Sequence, residues 1–200
     1  MKISSEERKK QIVDTAIQII HTQGHHALVI REIAKQVGVT EPAIYRHFPS
    51  KEAIISGILA RLLGMGNSIE NKLSQLDSPK EKVEAFMRFH FQMIEKNPHI
   101  TSIVFAENLF ESSSLLKSKM LQVMQSRITI LSRIIHLAKE RACITAGETE
   151  DICLIIIGNI RALILEWKLS EFSFSLSERG ERSIQLVTTL LFTPQVKDNK

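Results

Sequence analysis

Residues 30–51, with the sequence IREIAKQVGVTEPAIYRHFPSK, restrict the possible fold more than any other part of this 200-residue chain. In the first part of this segment, steps of three and four residues separate the apolar positions Ile30, Ile33, Ala34 and Val37. This spacing predicts a short amphipathic helix, and Gly38 provides a turn after it. Thr40 is a favourable N-cap and Pro42 is tolerated in a first helical turn, so a second short helix is expected to begin there. The segment therefore predicts two short helices that pack across a tight turn.

The second of these helices has an outward face that packing alone does not explain. If Val39, Ile44 and Phe48 point inward, the outer side chains are those of Thr40, Glu41, Ala43, Tyr45, Arg46 and His47. Two short helices with such a polar outer face are typical of the helix-turn-helix motif that reads DNA. A plain helical hairpin inside a bundle is the alternative. It accounts for the apolar residues, but not for a phenol, a guanidinium and an imidazole clustered beside Lys51.

The rest of the chain also shows helical periodicity, and no segment shows the alternation expected of a β-strand. Three residue pairs have the spacing of a capping box at a helix start: Ser4 with Glu7, Ser78 with Glu81, and Thr145 with Glu148. A helix capped by Ser50 is expected to run from Lys51 toward Leu76. The predicted fold is therefore all-α, with about nine helices.

The pattern over roughly residues 5–55 resembles the DNA-binding domain of TetR/AcrR-family transcriptional regulators. The matching positions are Gly24, Ile33, Ala34, Gly38, Val39, Thr40, Ile44, Tyr45, His47, Phe48 and Lys51. The resemblance implies a helix-turn-helix, three-helix DNA-binding domain at residues 1–50 and a helical ligand-binding and dimerisation bundle at residues 51–200. Leu28 and Val29 depart from the family pattern, which often has Ser or Thr there, so neither is assigned a contact.

The expected DNA contacts divide into those that position the protein and those that read bases. The free N–H groups at the start of the second short helix suit a phosphate. The resemblance implies that the DNA backbone is also met by Thr40, Tyr45, His47 and Lys51. Base reading is expected from Arg46, Ala43, Pro42 and Glu41, with Arg31 as an outer contact. Arg46 suits a guanine edge; for Glu41, an interaction with its own helix N-terminus is the alternative.

A single helix-turn-helix reads only a few base pairs, so such proteins usually bind paired half-sites as dimers. Gly158 and Ala162 lie four residues apart, and small side chains there would let a partner helix approach closely. The predicted two-fold, four-helix interface comprises Ile155, Gly158, Ala162, Leu165 and Leu169 on one helix and Ile184, Val187, Leu190 and Leu191 on the last. The alternative is that these residues only build the core of one subunit.

Aromatic and methionine side chains concentrate in the middle of the chain. Resemblance to the family implies an apolar ligand cavity there, lined by Phe86, Phe89, His90, Met93, Phe105, Phe110, Met120 and Met124. Ordinary core packing is the alternative for each of these residues. Asn159 and Arg161 interrupt an apolar run, so they could orient the polar end of a ligand, or pair with an acidic residue or a second subunit.

Composition excludes several classes of protein. The net charge is +4, and residues 1–66 hold nine Lys and Arg against six Asp and Glu, an excess too small to indicate nucleic acid by itself. The N-terminus is polar, and the apolar run at residues 152–165 is too short to span a bilayer, which favours a cytoplasmic protein. Cys143 and Cys153 are expected to be reduced thiols, with a redox pair as the alternative. No metal-binding or catalytic signature is present, so neither an enzyme nor a cofactor is expected.

These observations predict a homodimeric transcriptional repressor that binds a palindromic operator and is released by a small, largely apolar effector of unknown identity. Two alternatives remain. One is an architectural or nucleoid-associated helix-turn-helix protein without an inducer. The other is a helical small-molecule-binding protein that does not bind DNA, which would lack the steep salt dependence of specific DNA binding.

Overall fold

A computed structural model describes residues 3–111 and 113–192. Within them the chain forms eleven α-helices: α1 (Ser5–Gln23), α2 (Ile30–Val37), α3 (Glu41–Tyr45), α4 (Lys51–Asn67), α5 (Glu70–Leu73), α6 (Pro79–Lys96), α7 (Thr101–Val104), α8 (Asn108–Glu111), α9 (Ser114–Glu140), α10 (Thr149–Leu169) and α11 (Leu176–Leu191). Two 3₁₀ turns, His25–Ala27 and Pro98–Ile100, precede α2 and α7. The all-α prediction is confirmed, and these described residues contain no strand. Nor do they include a helix with the length and hydropathy needed to cross a bilayer.

Serine side chains begin several of these helices. Ser4 closes the expected capping box on α1, since its Oγ accepts from the Glu7 N–H at 3.2 Å and Glu7 Oε2 accepts from the Ser4 N–H at 2.8 Å. The hydroxyls of Ser50, Ser78 and Ser175 each accept from a backbone N–H three residues later, at 3.1, 3.4 and 3.2 Å. Such caps satisfy N–H groups that lack partners within the helix.

The predicted capping box of Thr145 with Glu148 is wrong. The helix α10 begins at Thr149, and Glu148 is its N-cap without a side-chain hydrogen bond. Gly147 between them has φ +84°, a left-handed conformation that interrupts a helix. The spacing alone could not reveal this turn.

The predicted end of the helix that starts at Lys51 is also wrong. The helix α4 ends at Asn67 instead of continuing toward Leu76, and the four-residue α5 follows it. Gly64 and Gly66 fall in its last turn, where glycine weakens a helix because it has more backbone freedom to lose.

Contacts divide the chain into two compact units. Unit 1 comprises Met1–Met65 and His99–Met124, and unit 2 comprises Gly66–Pro98 and Gln125–Lys200, as far as their residues are described. These units are discontinuous in sequence, whereas the prediction divided the chain once, at residue 50. That division stays a prediction.

Unit 1 holds the two short helices and the core that supports them. In this unit α1 packs against α2 and α7, and α2 packs against α3. Completely buried side chains at the centre are Ile12, Ile19, Ile33, Ile44 and Ile58. Asp14 of α1 and Arg61 of α4 form an ion pair. The outward face of α3 is therefore supported by a continuous apolar layer.

Unit 2 is built on the close packing of α6 with α11, and α10 packs against both. Gly180 of α11 lies so near Phe91 of α6 that a Cβ at position 180 would be 2.4 Å from Phe91 Cδ2. Arg88 donates two hydrogen bonds to Glu181, at 2.9 Å from Nε and 2.7 Å from Nη2. These bonds are the main reason why the pKa of Glu181 is lowered.

Candidate nucleic-acid interface

The turn between α2 and α3 has the geometry that its sequence predicts. Gly38 adopts φ +75° and ψ 36°, the left-handed conformation that glycine tolerates best. Its N–H donates to the carbonyl of Lys35, and the N–H of Val39 donates to that of Ala34 at 3.0 Å. These bonds fix the position at which α3 leaves α2.

The expected DNA-contacting side chains are all in unit 1, on or beside α2 and α3. Ile44 is completely buried and anchors α3, whereas Tyr45 on the same helix is 48% exposed. The other exposed members of the set are Arg31, Thr40, Glu41, Pro42, Arg46 and Lys51, while Ala43 and His47 are half-buried. The fold thus presents a phenol, two guanidinium groups and an ammonium group to solvent in one unit.

The start of α3 has fewer free N–H groups for a phosphate than the sequence predicts. This helix has only five residues, and the N–H of Ala43 already donates to the Thr40 carbonyl at 2.9 Å. Pro42 contributes no N–H at all. Thr40 is the N-cap, but its side chain makes no capping hydrogen bond, so its hydroxyl is not used to hold the helix. Arg46 and His47 lie just after α3 rather than within it.

The departure at Leu28 and Val29 has the expected structural effect. Leu28 is completely buried, and Val29 is the N-cap of α2 without any side-chain cap. The start of α2 consequently lacks a hydroxyl that could meet a phosphate.

One contact beside the interface could not be predicted from the sequence. The hydroxyl of Ser5, in the first turn of α1, lies 3.4 Å from Nδ1 of His47. The two residues are 42 positions apart, and only the packed fold brings them together.

The residues predicted to line a ligand cavity are divided between the two units. Unit 2 contains the buried Phe86 and the half-buried Phe89, His90, Met93, Asn159 and Arg161. Unit 1 contains the buried Phe110, the half-buried Phe105 and Met120, and the exposed Met124. Asn159 is engaged within unit 2, since its Oδ1 accepts from Ser183 Oγ at 2.7 Å. The shared cavity stays a prediction.

His90 is the most perturbed titratable group of that set. Its Nδ1 lies 2.7 Å from the Phe86 carbonyl, which can only accept, so Nδ1 carries the proton. Burial is the main cause that lowers the pKa of His90 to about 4, and the charge of Arg127 adds to it. The neutral ring therefore presents Nε2 as an acceptor, while Phe86 and Phe89 contact the ring at centroid distances of 4.4 and 5.5 Å.

The residues predicted for the dimer interface differ in exposure. On α10 an exposed face includes Ile155, Gly158, Ala162, Leu165 and Leu169, at alternating steps of three and four. On α11, however, Ile184 and Val187 are buried in unit 2, and Leu191 is half-buried. The predicted Leu190 is 75% exposed. Two residues that were not predicted are exposed as well: Leu154 on α10, at 72%, and Leu186 on α11, at 61%. The outer face of α11 is mostly polar but includes Leu186 and Leu190, so apolar character alone did not separate the inner residues from the outer ones.

Within the described ranges no three His, Cys, Asp or Glu side chains are grouped as ligands of a metal ion would be. Cys153 is buried, and its sulfur lies 3.5 Å from the Ser132 hydroxyl.

Two family models match the chain in succession. The model of bacterial regulatory proteins of the tetR family matches residues 12–58. The model of the C-terminal region of YsiA-like proteins matches residues 60–189. The first match covers the whole of the interface described above.

Curated relatives match the chain over nearly its full length. The fatty acid metabolism regulator protein of Bacillus subtilis (strain 168) is 24% identical over 181 residues, which is 90% of this chain and 93% of the relative. The nucleoid occlusion factor SlmA of Glaesserella parasuis serovar 5 (strain SH0165) is 22% identical over 192 residues, 96% of each chain. The crystal structure of the transcriptional regulator FadR from Bacillus subtilis in complex with stearoyl-CoA shares the fold, with a TM-score of 0.81 at 24% identity over 90% of this chain and 97% of that one.

Proposed function

Because this chain belongs to the tetR family of bacterial regulatory proteins, we propose that it is a repressor that binds a palindromic operator as a homodimer. A small, largely apolar effector releases it. The observation that carries this proposal is the outward face formed by α3 and the residue after it. Tyr45 and Arg46 are exposed there, whereas Ile44 of α3 is buried. A helical hairpin built only for packing does not need such a face. The protein acts in the cytoplasm, where its DNA is, and catalyses no reaction.

The exposed residues divide into two functional groups. Thr40, Tyr45, His47 and Lys51 hold the helix against phosphates through side-chain donors, since the short α3 contributes little from its own N-terminus. Arg46 reads a base edge through two hydrogen bonds, and Pro42 or Ala43 contacts a thymine methyl. Glu41 and Arg31 lie at the edges of this surface and adjust specificity.

We place the dimer interface on the exposed face of α10 and on the outer face of α11. Gly158 and Ala162 allow close approach of a second helix, and Ile155 and Leu169 are 55% and 74% exposed in one subunit. On α11 the interface uses Leu186 and Leu190 rather than the buried Ile184 and Val187. Covering such a surface with its two-fold copy removes apolar area from water at about 25 cal/mol per Å² before the costs of association.

We propose a long-chain acyl thioester as the first effector class to test. One relative regulates fatty acid metabolism, and the FadR structure with the same fold holds stearoyl-CoA. The phenylalanine and methionine side chains of α6 and α9 are chemically suited to an alkyl chain. Effector binding shifts the population toward a state whose reading helices no longer fit one operator.

The decisive experiment starts from the source genome. Fragments selected by the purified protein define the operator, and fluorescence anisotropy then measures its affinity with and without stearoyl-CoA. We expect release by the acyl thioester and none by coenzyme A alone, because the alkyl chain provides the binding energy. If the protein binds its operator specifically but no acyl thioester weakens that binding, the proposed effector class is excluded and the repressor function is retained. If the protein binds DNA without sequence preference, the repressor function is excluded as well.

A second candidate is a nucleoid-associated function without an inducer, which the match to SlmA over 96% of both chains favours. Many dispersed genomic sites, bound equally with and without metabolites, would support this candidate. A few sites near regulated promoters would support the repressor.

A further inference from the structure

We propose that Ser5 is a positioning residue for DNA binding, because its hydroxyl orients the imidazole of His47 toward the phosphate backbone. The proposal rests on the proposed role of His47 as a phosphate donor. The contact joins the first turn of α1 to the residue that follows α3 by two positions, with Ser5 Oγ 3.4 Å from His47 Nδ1.

The start of α1 is a firm support for this contact. Ser4 and Glu7 form a reciprocal capping box, so the backbone around Ser5 is fixed by two hydrogen bonds that do not involve the Ser5 side chain. The hydrogen bond from the Ser4 N–H to the Glu7 carboxylate is the main cause that lowers the pKa of Glu7, which keeps its carboxylate charged as an acceptor. The Ser5 hydroxyl is therefore free to serve a neighbour rather than its own helix.

The chemistry of the ring decides the direction of the hydrogen bond. A neutral imidazole has one N–H donor and one acceptor nitrogen, and a phosphate oxygen accepts only. If Nδ1 donated to Ser5, the bare Nε2 would face the phosphate and could not bind it. When the Ser5 hydroxyl donates to Nδ1 instead, Nε2 carries the proton and becomes the donor that DNA requires. Because a hydroxyl can donate or accept, Ser5 accommodates the tautomer that the phosphate requires, and its contact restricts rotation of the ring.

The contact with Ser5 involves one edge of the His47 ring. The backbone N–H of His47 donates to the Ile44 carbonyl at 2.9 Å, which holds the residue against the end of α3. Its side chain is half-buried, whereas the adjacent Arg46 is exposed. In the proposed complex, Nε2 of this ring meets a phosphate beside Arg46.

The test is a double-mutant cycle with Ser5→Ala and His47→Ala, measured as operator affinity at fixed salt. We expect Ser5→Ala to weaken binding about two- to tenfold, the usual effect of one net hydrogen bond. The loss should be equal on operator and random DNA, because a phosphate contact carries no sequence information. Ser5→Thr, which restores a hydroxyl, should recover the affinity, and Ser5→Ala should have no further effect in the His47→Ala background.

Two measurements separate positioning from a general loss of structure. Thr22→Ala removes an exposed hydroxyl from the other end of α1, where Thr22 Oγ1 donates to the Gln18 carbonyl, and it should leave affinity unchanged. Two-bond ¹H–¹⁵N spectra of the His47 ring in the operator complex should show Nε2 protonated in the wild type, with an Nδ1 resonance that shifts in Ser5→Ala. A proton on Nδ1, or an equal loss from Ser5→Ala with and without His47, would overturn the proposal. If His47→Ala itself leaves affinity unchanged, the proposed phosphate role of His47 fails first.

Discussion

Replacing Gly180 with alanine tests whether the contact between α6 and α11 is as close as the structure indicates. In a helix interior, alanine is more favourable than glycine by about 1 kcal/mol. Against this gain, the added Cβ would lie 2.4 Å from Cδ2 and 2.7 Å from Cγ of Phe91. The ring of Phe91 is only 1% exposed and packed on all sides, so it cannot swing away freely. Overpacking of this kind costs about 1–3 kcal/mol, which should exceed the helical gain.

The matched control is Gly64→Ala in α4, where no heavy atom lies within 4 Å of the new Cβ. We expect Gly64→Ala to stabilise the protein by about 0.5–1 kcal/mol and Gly180→Ala to destabilise it by up to about 2 kcal/mol. For a chain of this size each kcal/mol shifts Tm by about 2–4 °C, so calorimetry at fixed protein concentration resolves the difference. If both variants gained stability, the close approach of α6 and α11 would be refuted.

Four further variants test the interface, the dimer and the interior. Lys51→Ala should weaken binding to all DNA and flatten the plot of log affinity against log salt by about one unit; an unchanged slope would exclude a phosphate contact. Arg46→Ala should reduce discrimination between operator and random DNA by about 1–3 kcal/mol in competition binding, and equal losses on both would end its base-reading role. Ala162→Glu should split the dimer in sedimentation equilibrium, whereas Ala60→Glu, on another exposed surface, should not. As pH falls from 6.5 to about 4, the unfolded chain binds a proton at His90 before the folded protein does. The stability that His90 contributes above pH 6.5 is therefore lost over that interval, by about 3 kcal/mol at most. In urea titrations, His90→Asn should flatten the plot of unfolding free energy against pH, and equal slopes for both proteins would contradict this.

The short helices could be predicted from sequence because several local signals agreed. The apolar period and Gly38 indicate the same end for α2, and Thr40 marks the start of α3 two residues later. At Thr145, by contrast, one signal stood alone, and the left-handed Gly147 shows that residue spacing without periodic support is weak evidence.

Features that depend on tertiary packing could not be predicted from the sequence. The exposed face of α11 is mostly polar, but it includes Leu186 and Leu190, which are close in sequence to the buried Ile184 and Val187. Composition alone therefore did not show that these two leucines face outward. The pairing of Ser5 with His47 likewise depends on how α1 crosses the other helices. The exposed polar face of α3 could be predicted because its polar side chains favour solvent and its apolar ones favour the core.

The shortness of α3 has a consequence for genetics. A helix of five residues is far below the length that is stable by itself in water, and its own N-cap hydroxyl does not secure it. Its shape is therefore maintained by packing of its own Ile44 and of Ile33 on α2, which are both completely buried. A screen for variants that no longer recognise their operator should consequently recover conservative changes at these two hidden positions as well as at the surface. Such variants would keep their helix content and their dimer, and would have lost only the correct placement of one short turn of chain.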